Sequence, residues 1–102
     1  MKTFEQICHQ VAAGEFEFTR HALRRLVERN ISEAEIRQAA ENAQLVESYP
    51  EDKYTPSCLI AGFTGKKRPL HLQVSYADTP MVRIITLYEP DPNEWIAFTK
   101  RR

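Results

Sequence analysis

The period of the hydrophobic pattern changes once along this chain, near Leu45, and that change sets the class of fold. Before it, apolar residues recur at three and four positions, the spacing of one helix face. After it they recur at every second position, the spacing of one strand face. Helices first and hairpin-linked strands afterwards predict an α+β domain, with about three N-terminal helices followed by an antiparallel sheet of about four strands. A chain of 102 residues is long enough for one such core and too short for two, so residues 1–102 are read as a single domain.

The helical half is punctuated by capping signals. Thr3 and Gln6 have the form of a capping box, Phe4, Ile7, Cys8, Val11 and Ala12 follow at helical spacing, and Gly14 closes the first helix. Glu15 to Phe18 alternates polar with apolar over only four residues, which predicts a short extended connector. Thr19 is the expected N-cap of a central helix, with Phe18 and Leu23 at staple positions. Ala22, Leu23, Leu26 and Val27 fall on one side of that helix, and His21, Arg24, Arg25 and Glu28 on the other. Asn30 ends it. Ser32 and Glu35 form a second capping box, flanked by Ile31 and Ile36, and Ile36, Ala39, Ala40 and Ala43 give the third helix a narrow, small-residue face that should end near Asn42.

Strands are expected over Leu45–Tyr49, Ser57–Phe63, Leu70–Tyr76 and Val82–Tyr88, separated by turn chemistry around Pro50, Gly65 and Pro80. Leu70, Leu72, Val74 and Tyr76 share one face of the third strand; His71, Gln73 and Ser75 share the other. Asp91 to Glu94, with Pro92 at a first helical position, predicts another helix start, with Trp95 and Phe98 packing as a closing turn and Lys100 to Arg102 fraying.

Composition narrows the function classes. The chain is 42% hydrophobic and 27% charged with zero net charge, which fits a globular core and argues against gripping nucleic acid through overall positive charge. The balance is uneven: the central helix and the sheet half are rich in arginine and lysine, while acid concentrates between Glu33 and Asp52, so a neutral total can still hold a basic face. No apolar run reaches membrane-span length, no apolar leader opens the chain, and the two cysteines suit a reduced core, so a cytoplasmic protein is expected. Cys8, His9, His21, Cys58 and His71 are ligand types without zinc-site spacing, and there is no phosphate-binding glycine loop or nucleophile elbow. Neither metal nor cofactor is expected.

His21 and Arg25, four apart on a helix, can together hold a phosphate or carboxylate, arginine through a bidentate fork and histidine as donor or proton carrier. The same spacing suits a solvated face on which Arg24 and Arg25 pair with Glu28, each pair worth about 0.2–0.5 kcal/mol. His71 is either the floor of a cleft or an exposed strand residue. Arg83, on the face opposite that expected for Ile84, Thr86 and Tyr88, joins His71 only if the strand register allows. Were His21, Arg25, His71 and Arg83 to converge, a phosphodiester could be cleaved at a ribose 2′-hydroxyl without metal. One group takes the hydroxyl proton, another protonates the leaving oxygen, arginine holds the charge on phosphorus, and Tyr76 or Tyr88 stacks a base or donates a proton.

The run from Phe18 to Glu35, with Tyr49–Asp52, Pro56–Leu59, Pro69–His71 and Ile85–Pro90, resembles a bacterial family of small uncharacterised domains that carries a domain-of-unknown-function label. Its members are similar, more distantly, to the RelE-type, BrnT-type and MqsR-type ribonuclease toxins, and some resemble toxin partners of zinc-finger antitoxins. The resemblance extends from about Phe18 to Trp95, and its motif positions match at His21, Arg25, Glu28, Arg29, His71 and Tyr88. It marks positions and not their roles, and it implies a RelE-like fold. Two features depart from the pattern: Ala43 stands where similar sequences carry glycine, and the neutral charge is less basic than that of a ribosome-associated toxin.

Residues and resemblance together lead to a toxin-like, metal-independent endoribonuclease (an mRNA interferase) of a toxin–antitoxin pair. In that expectation His21 or His71 is the acid/base, Arg25, Arg29, Arg83 and Tyr88 bind phosphate or RNA, and the partners are an antitoxin protein and RNA. The alternative is a non-catalytic binding or regulatory domain that takes a protein on an exposed sheet edge or helix face.

Overall fold

Capping motifs set where the three helices begin. The computed structural model, which describes residues 1–102, starts α1 (Phe4–Ala12) at Thr3, whose Oγ1 accepts the Gln6 N–H at 3.1 Å while the Gln6 Oε1 accepts the Thr3 N–H at 2.8 Å. Thr19 caps α2 (Arg20–Glu28) by accepting the Ala22 N–H, and the Ser32–Glu35 box opens α3 (Glu33–Glu41). Each cap is worth about 1 kcal/mol, enough to decide where one short helix stops and the next starts. Between α2 and α3 the chain turns through Asn30, at φ +51°, a conformation asparagine tolerates better than most residues.

The strands are β1 (Phe16–Phe18), β2 (Gln44–Tyr49), β3 (Ser57–Phe63), β4 (Pro69–Ser75) and β5 (Val82–Tyr88), with a separate hairpin of β6 (Trp95–Ile96) and β7 (Lys100–Arg101). The main sheet has the order β1-β5-β4-β3-β2 and is antiparallel except that β1 runs parallel to β5. The fold is therefore α+β, with three helices in its N-terminal half. The sheet has five strands and mixed direction, where four antiparallel strands were expected.

The extra strand is the Glu15–Phe18 stretch. It is more than a connector because the first half of β5 would otherwise be an open edge: the Glu15 carbonyl accepts the Val82 N–H at 3.0 Å, and Phe16 is buried beside Val82. Beyond Ile84 the edge of β5 has no strand partner, and α2 serves it instead. The Thr19 N–H donates to the Ile84 carbonyl (3.1 Å), the Thr19 hydroxyl to the Ile85 carbonyl (2.9 Å) and Arg29 Nη1 to the Leu87 carbonyl (2.9 Å). A helix laid along an edge buries only a narrow stripe. Ala22 is fully buried, whereas Leu23 and Val27, expected on the same inward side, stay 52% and 71% exposed.

One face of the sheet carries the core. Cys58, Ile60, Leu70, Leu72, Val74, Val82, Ile84 and Leu87 pack against Ile7 and Val11 of α1 and Ile36, Ala39 and Ala40 of α3. The small-residue face of α3 allows a close approach. A Cβ built on Gly62 of β3 would stand 1.9 Å from the Ala39 carbonyl oxygen, so only glycine fits there. Cys8 and Cys58 are both free, and burial pushes the Cys8 thiol up to about 11. No helix is long and apolar enough to cross a membrane.

Two further differences from the sequence reading shape the opposite face. In the β4–β5 pairing Val74 faces Ile84 but Gln73 faces Thr86, so Ile85 is an extra, bulged residue. Strict alternation put Thr86 and Tyr88 on the side of Ile84; the bulge transfers them to the side of His71 and Gln73. The chain end is not a helix either. Asp91 makes one turn, its carboxylate accepting the Asn93 N–H (2.8 Å) and its carbonyl the N–H groups of Glu94 (2.9 Å) and Trp95 (3.1 Å), after which β6 and β7 fold over the sheet. The basic tail is held: the Arg101 guanidinium meets both Glu47 carboxylate oxygens, at 2.8 and 3.1 Å, and lies 4.7 Å over the Trp95 ring.

Candidate functional site

Because α2 lies along the edge of β5, its polar side turns toward the second half of that strand and opens a cleft of about 640 Å³. His21 and Arg25 of α2, with Arg29 at its C-terminal cap, follow one another a turn apart and form the helical wall. Thr86 and Tyr88, brought round by the bulge, line the strand side. Glu89, Asp91 and Glu94 close the far wall, and Arg68 reaches in from the β3–β4 turn.

Most of the charges in this cleft are already engaged. Arg25 Nη1 pairs with Glu28 at 2.7 Å, and Arg29 is anchored on the Leu87 carbonyl with its guanidinium carbon 5.9 Å from the centre of the Tyr88 ring. Arg68 binds Glu89 (2.9 Å), Glu35 (3.2 Å) and the carbonyls of Arg29 and Asn30 (2.9 Å each), which ties the turn after α2 to the sheet. Partial burial works against the Glu35 charge, but the Ser32 N–H and the Arg68 guanidinium hold its carboxyl below the usual range. The Asp91 carboxylate is occupied by its own turn. Two titratable side chains that line the cleft, His21 and Glu94, have no partner within the chain.

His71 lies below this cleft. It is fully buried, covered by the C-terminal hairpin, with the Trp95 ring edge-on at 4.6 Å, so neither the open cleft floor nor the solvent-facing strand position anticipated from sequence describes it. Its Nε2 stands 2.5 Å from the Phe98 carbonyl oxygen and its Nδ1 3.1 Å from the Tyr88 hydroxyl. A carbonyl can only accept, so Nε2 carries the proton. The neutral ring then offers its Nδ1 lone pair to the Tyr88 O–H. Burial holds the His71 pKa below the ordinary histidine value, and burial likewise raises that of the Tyr88 hydroxyl.

The structure thus gathers His21, Arg25, Arg29 and Tyr88 around one cleft and connects His71 to it through Tyr88. Arg83 is elsewhere: it stands opposite Glu17 in the β1–β5 register and pairs with it at 3.3 Å, away from the cleft residues. The Tyr76 hydroxyl is likewise occupied, 2.7 Å from Ser48 Oγ. Sequence reasoning missed Arg68 and Glu94. Arg68 reads as turn chemistry and Glu94 as part of a helix start; only the paths of the β3–β4 turn and of the Asp91 turn bring them beside α2.

Residues 18–89 match a domain of unknown function, DUF4258, a span that takes in α2, the bulged strand and His71. No curated protein and no solved structure matches the chain.

Proposed function

The chain belongs to the DUF4258 family of domains of unknown function, and we propose, from the side chains that line the cleft between α2 and β5, that it is a toxin-like, metal-independent endoribonuclease working there. One observation carries this reading. An imidazole and a carboxylate that bind nothing within the chain, His21 and Glu94, line the same cleft as Arg25 and Arg29.

Cleavage at a ribose 2′-hydroxyl needs a base, an acid and a cation at phosphorus. Glu94 takes the 2′-hydroxyl proton, O2′ bonds to phosphorus, the bond from phosphorus to O5′ breaks, and His21 as imidazolium gives O5′ its proton. The products are a 2′,3′-cyclic phosphate and a 5′-hydroxyl. Arg25 and Arg29 hold the non-bridging oxygens, for which Arg25 exchanges its Glu28 contact. The Tyr88 proton is committed to His71, so Tyr88 can only accept from the cleft, and it suits a sugar hydroxyl or an exocyclic amine of the RNA. His71 is a positioning residue that acts through Tyr88. Under this reading the partner is an antitoxin protein that restrains the activity.

The test is incubation of the purified chain with end-labelled RNA, free and ribosome-bound, in excess chelator. Cyclic-phosphate products are expected, with His21→Ala and Glu94→Gln each slowing cleavage by roughly 10²- to 10⁴-fold. Absence of cleavage together with normal growth on induced expression overturns the proposal, as does cleavage that both substitutions leave unchanged.

A further inference from the structure

The outward side of α2 is separate from the cleft and has its own pattern. Leu23 and Val27, four apart, are 52% and 71% exposed, and the exposed Arg20 and Arg24, also four apart, lie alongside them. At 100° per residue the four span an arc of about 100°, centred opposite the buried Ala22. Neither Arg20 nor Arg24 takes part in an ion pair or a side-chain hydrogen bond, in contrast to Arg25, Arg29, Arg68, Arg83 and Arg101.

We propose that this outer face of α2 is the docking surface for an acidic amphipathic helix of a partner protein. Leu23 and Val27 gain from contact only if the partner brings apolar surface of its own, which the phosphate backbone of a nucleic acid does not. Arg20 and Arg24 call for carboxylates at matching spacing, because an uncommitted guanidinium pairs best with a planar, two-oxygen acceptor. The nine residues of α2 rise about 13.5 Å, room for roughly two turns of a facing helix that carries two apolar residues four apart and, beside them, two acids four apart. A second copy of the chain suits the face poorly. A two-fold contact would gather the Arg20 and Arg24 guanidinium groups of both copies into one interface to which the patch brings no carboxylate, and like charges across an interface are repulsive.

This inference does not rest on the ribonuclease reading, and its experiment involves no RNA cleavage. A displayed library of helical peptides is selected on the full chain. The expected winners carry two apolar and two acidic residues at four-residue spacing. Leu23→Asp with Val27→Asp should weaken them at least about tenfold, a typical cost for removing an interface anchor. Arg20→Glu with Arg24→Glu should turn the selection toward lysine-bearing peptides. All four side chains are exposed, so unchanged melting temperatures confirm that the variants are folded. The proposal is overturned if no peptide enriches, or if the enriched peptides bind both double variants undiminished. It is equally overturned if Leu23 and Val27 instead drive self-association in sedimentation, or if the face captures phosphatidylglycerol vesicles or single-stranded RNA and no acidic helix.

Discussion

Tyr88 and His71 stand directly opposite each other across β4 and β5, and their side chains meet at 3.1 Å between the Tyr88 oxygen and His71 Nδ1. The Phe98 carbonyl on Nε2 orients the pair, since it requires the proton on that nitrogen and leaves Nδ1 as an acceptor. Removing the Tyr88 hydroxyl strands a buried acceptor. Tyr88→Phe should therefore cost about 1–3 kcal/mol, read by urea denaturation; under the proposed ribonuclease function it should also slow RNA cleavage less than His21→Ala does. A neutral effect on stability would mean that the hydrogen bond is not made in solution.

The buried histidine also sets a pH dependence. Burial lowers its folded-state pKa below the unfolded value of 6.5; Arg101 pushes the same way, while the Phe98 carbonyl and Glu47 oppose it. The unfolded chain then binds the proton first as pH falls. The contribution of His71 is complete above about pH 6.5 and is lost as pH drops from there toward the lowered folded value. Glu35 and Glu47, whose carboxyls are held below their ordinary 4.5, act in a separate and more acidic window. In thermal melts across pH 4–7, His71→Gln should flatten the slope just under pH 6.5 and leave the acidic loss in place.

Gly62→Ala tests the contact between α3 and β3. The new Cβ would meet the Ala39 carbonyl oxygen at 1.9 Å, a backbone atom that cannot swing aside, so the helix must lift from the sheet. A destabilisation of about 3 kcal/mol or more is expected, at the upper end of overpacking costs. Gly65→Ala is the control: its nearest neighbour is the end of the Gln38 side chain at 3.4 Å, and it should change stability by less than about 1 kcal/mol.

The hairpin over His71 turns through Ala97 and Phe98, both at positive φ (+51° and +62°), closed by the Thr99 N–H on the Ile96 carbonyl at 3.2 Å. This is the geometry that favours asparagine followed by glycine. Ala97 is exposed, so Ala97→Asn should raise stability by about 0.5 kcal/mol, whereas Ala97→Val should lower it by about 1–2 kcal/mol. Equal effects of the two in denaturant melts would exclude the turn as a source of strain. Phe98 is held in place by its ring against Phe63, at 6.1 Å between centroids, and by the bond from His71.

The sequence by itself determined the local structure. The two capping boxes, the Thr19 cap, the helix breaks at Gly14 and Asn30, and strands β2 to β5 within a residue or two all follow from hydrogen-bonding groups and side-chain periods that act over four or five residues. It also marked His21, Arg25, Arg29 and Tyr88, which the fold collects around one cleft.

Tertiary structure decided everything that depends on which backbone edge is left open and on where a strand gains a residue. The bare edge of β5 recruited Glu15–Phe18 as a strand and α2 as its continuation, which left Leu23 and Val27 outside. A single bulged residue, Ile85, reversed the facing of Thr86 and Tyr88 and so put Tyr88 on His71, while Arg83 stayed with Glu17 on the β1 side. The hairpin that buries His71 and the turn that carries Glu94 to the cleft close loops between residues far apart in the chain. Periodicity cannot report such contacts, because they are fixed by packing and by the need to satisfy buried backbone groups.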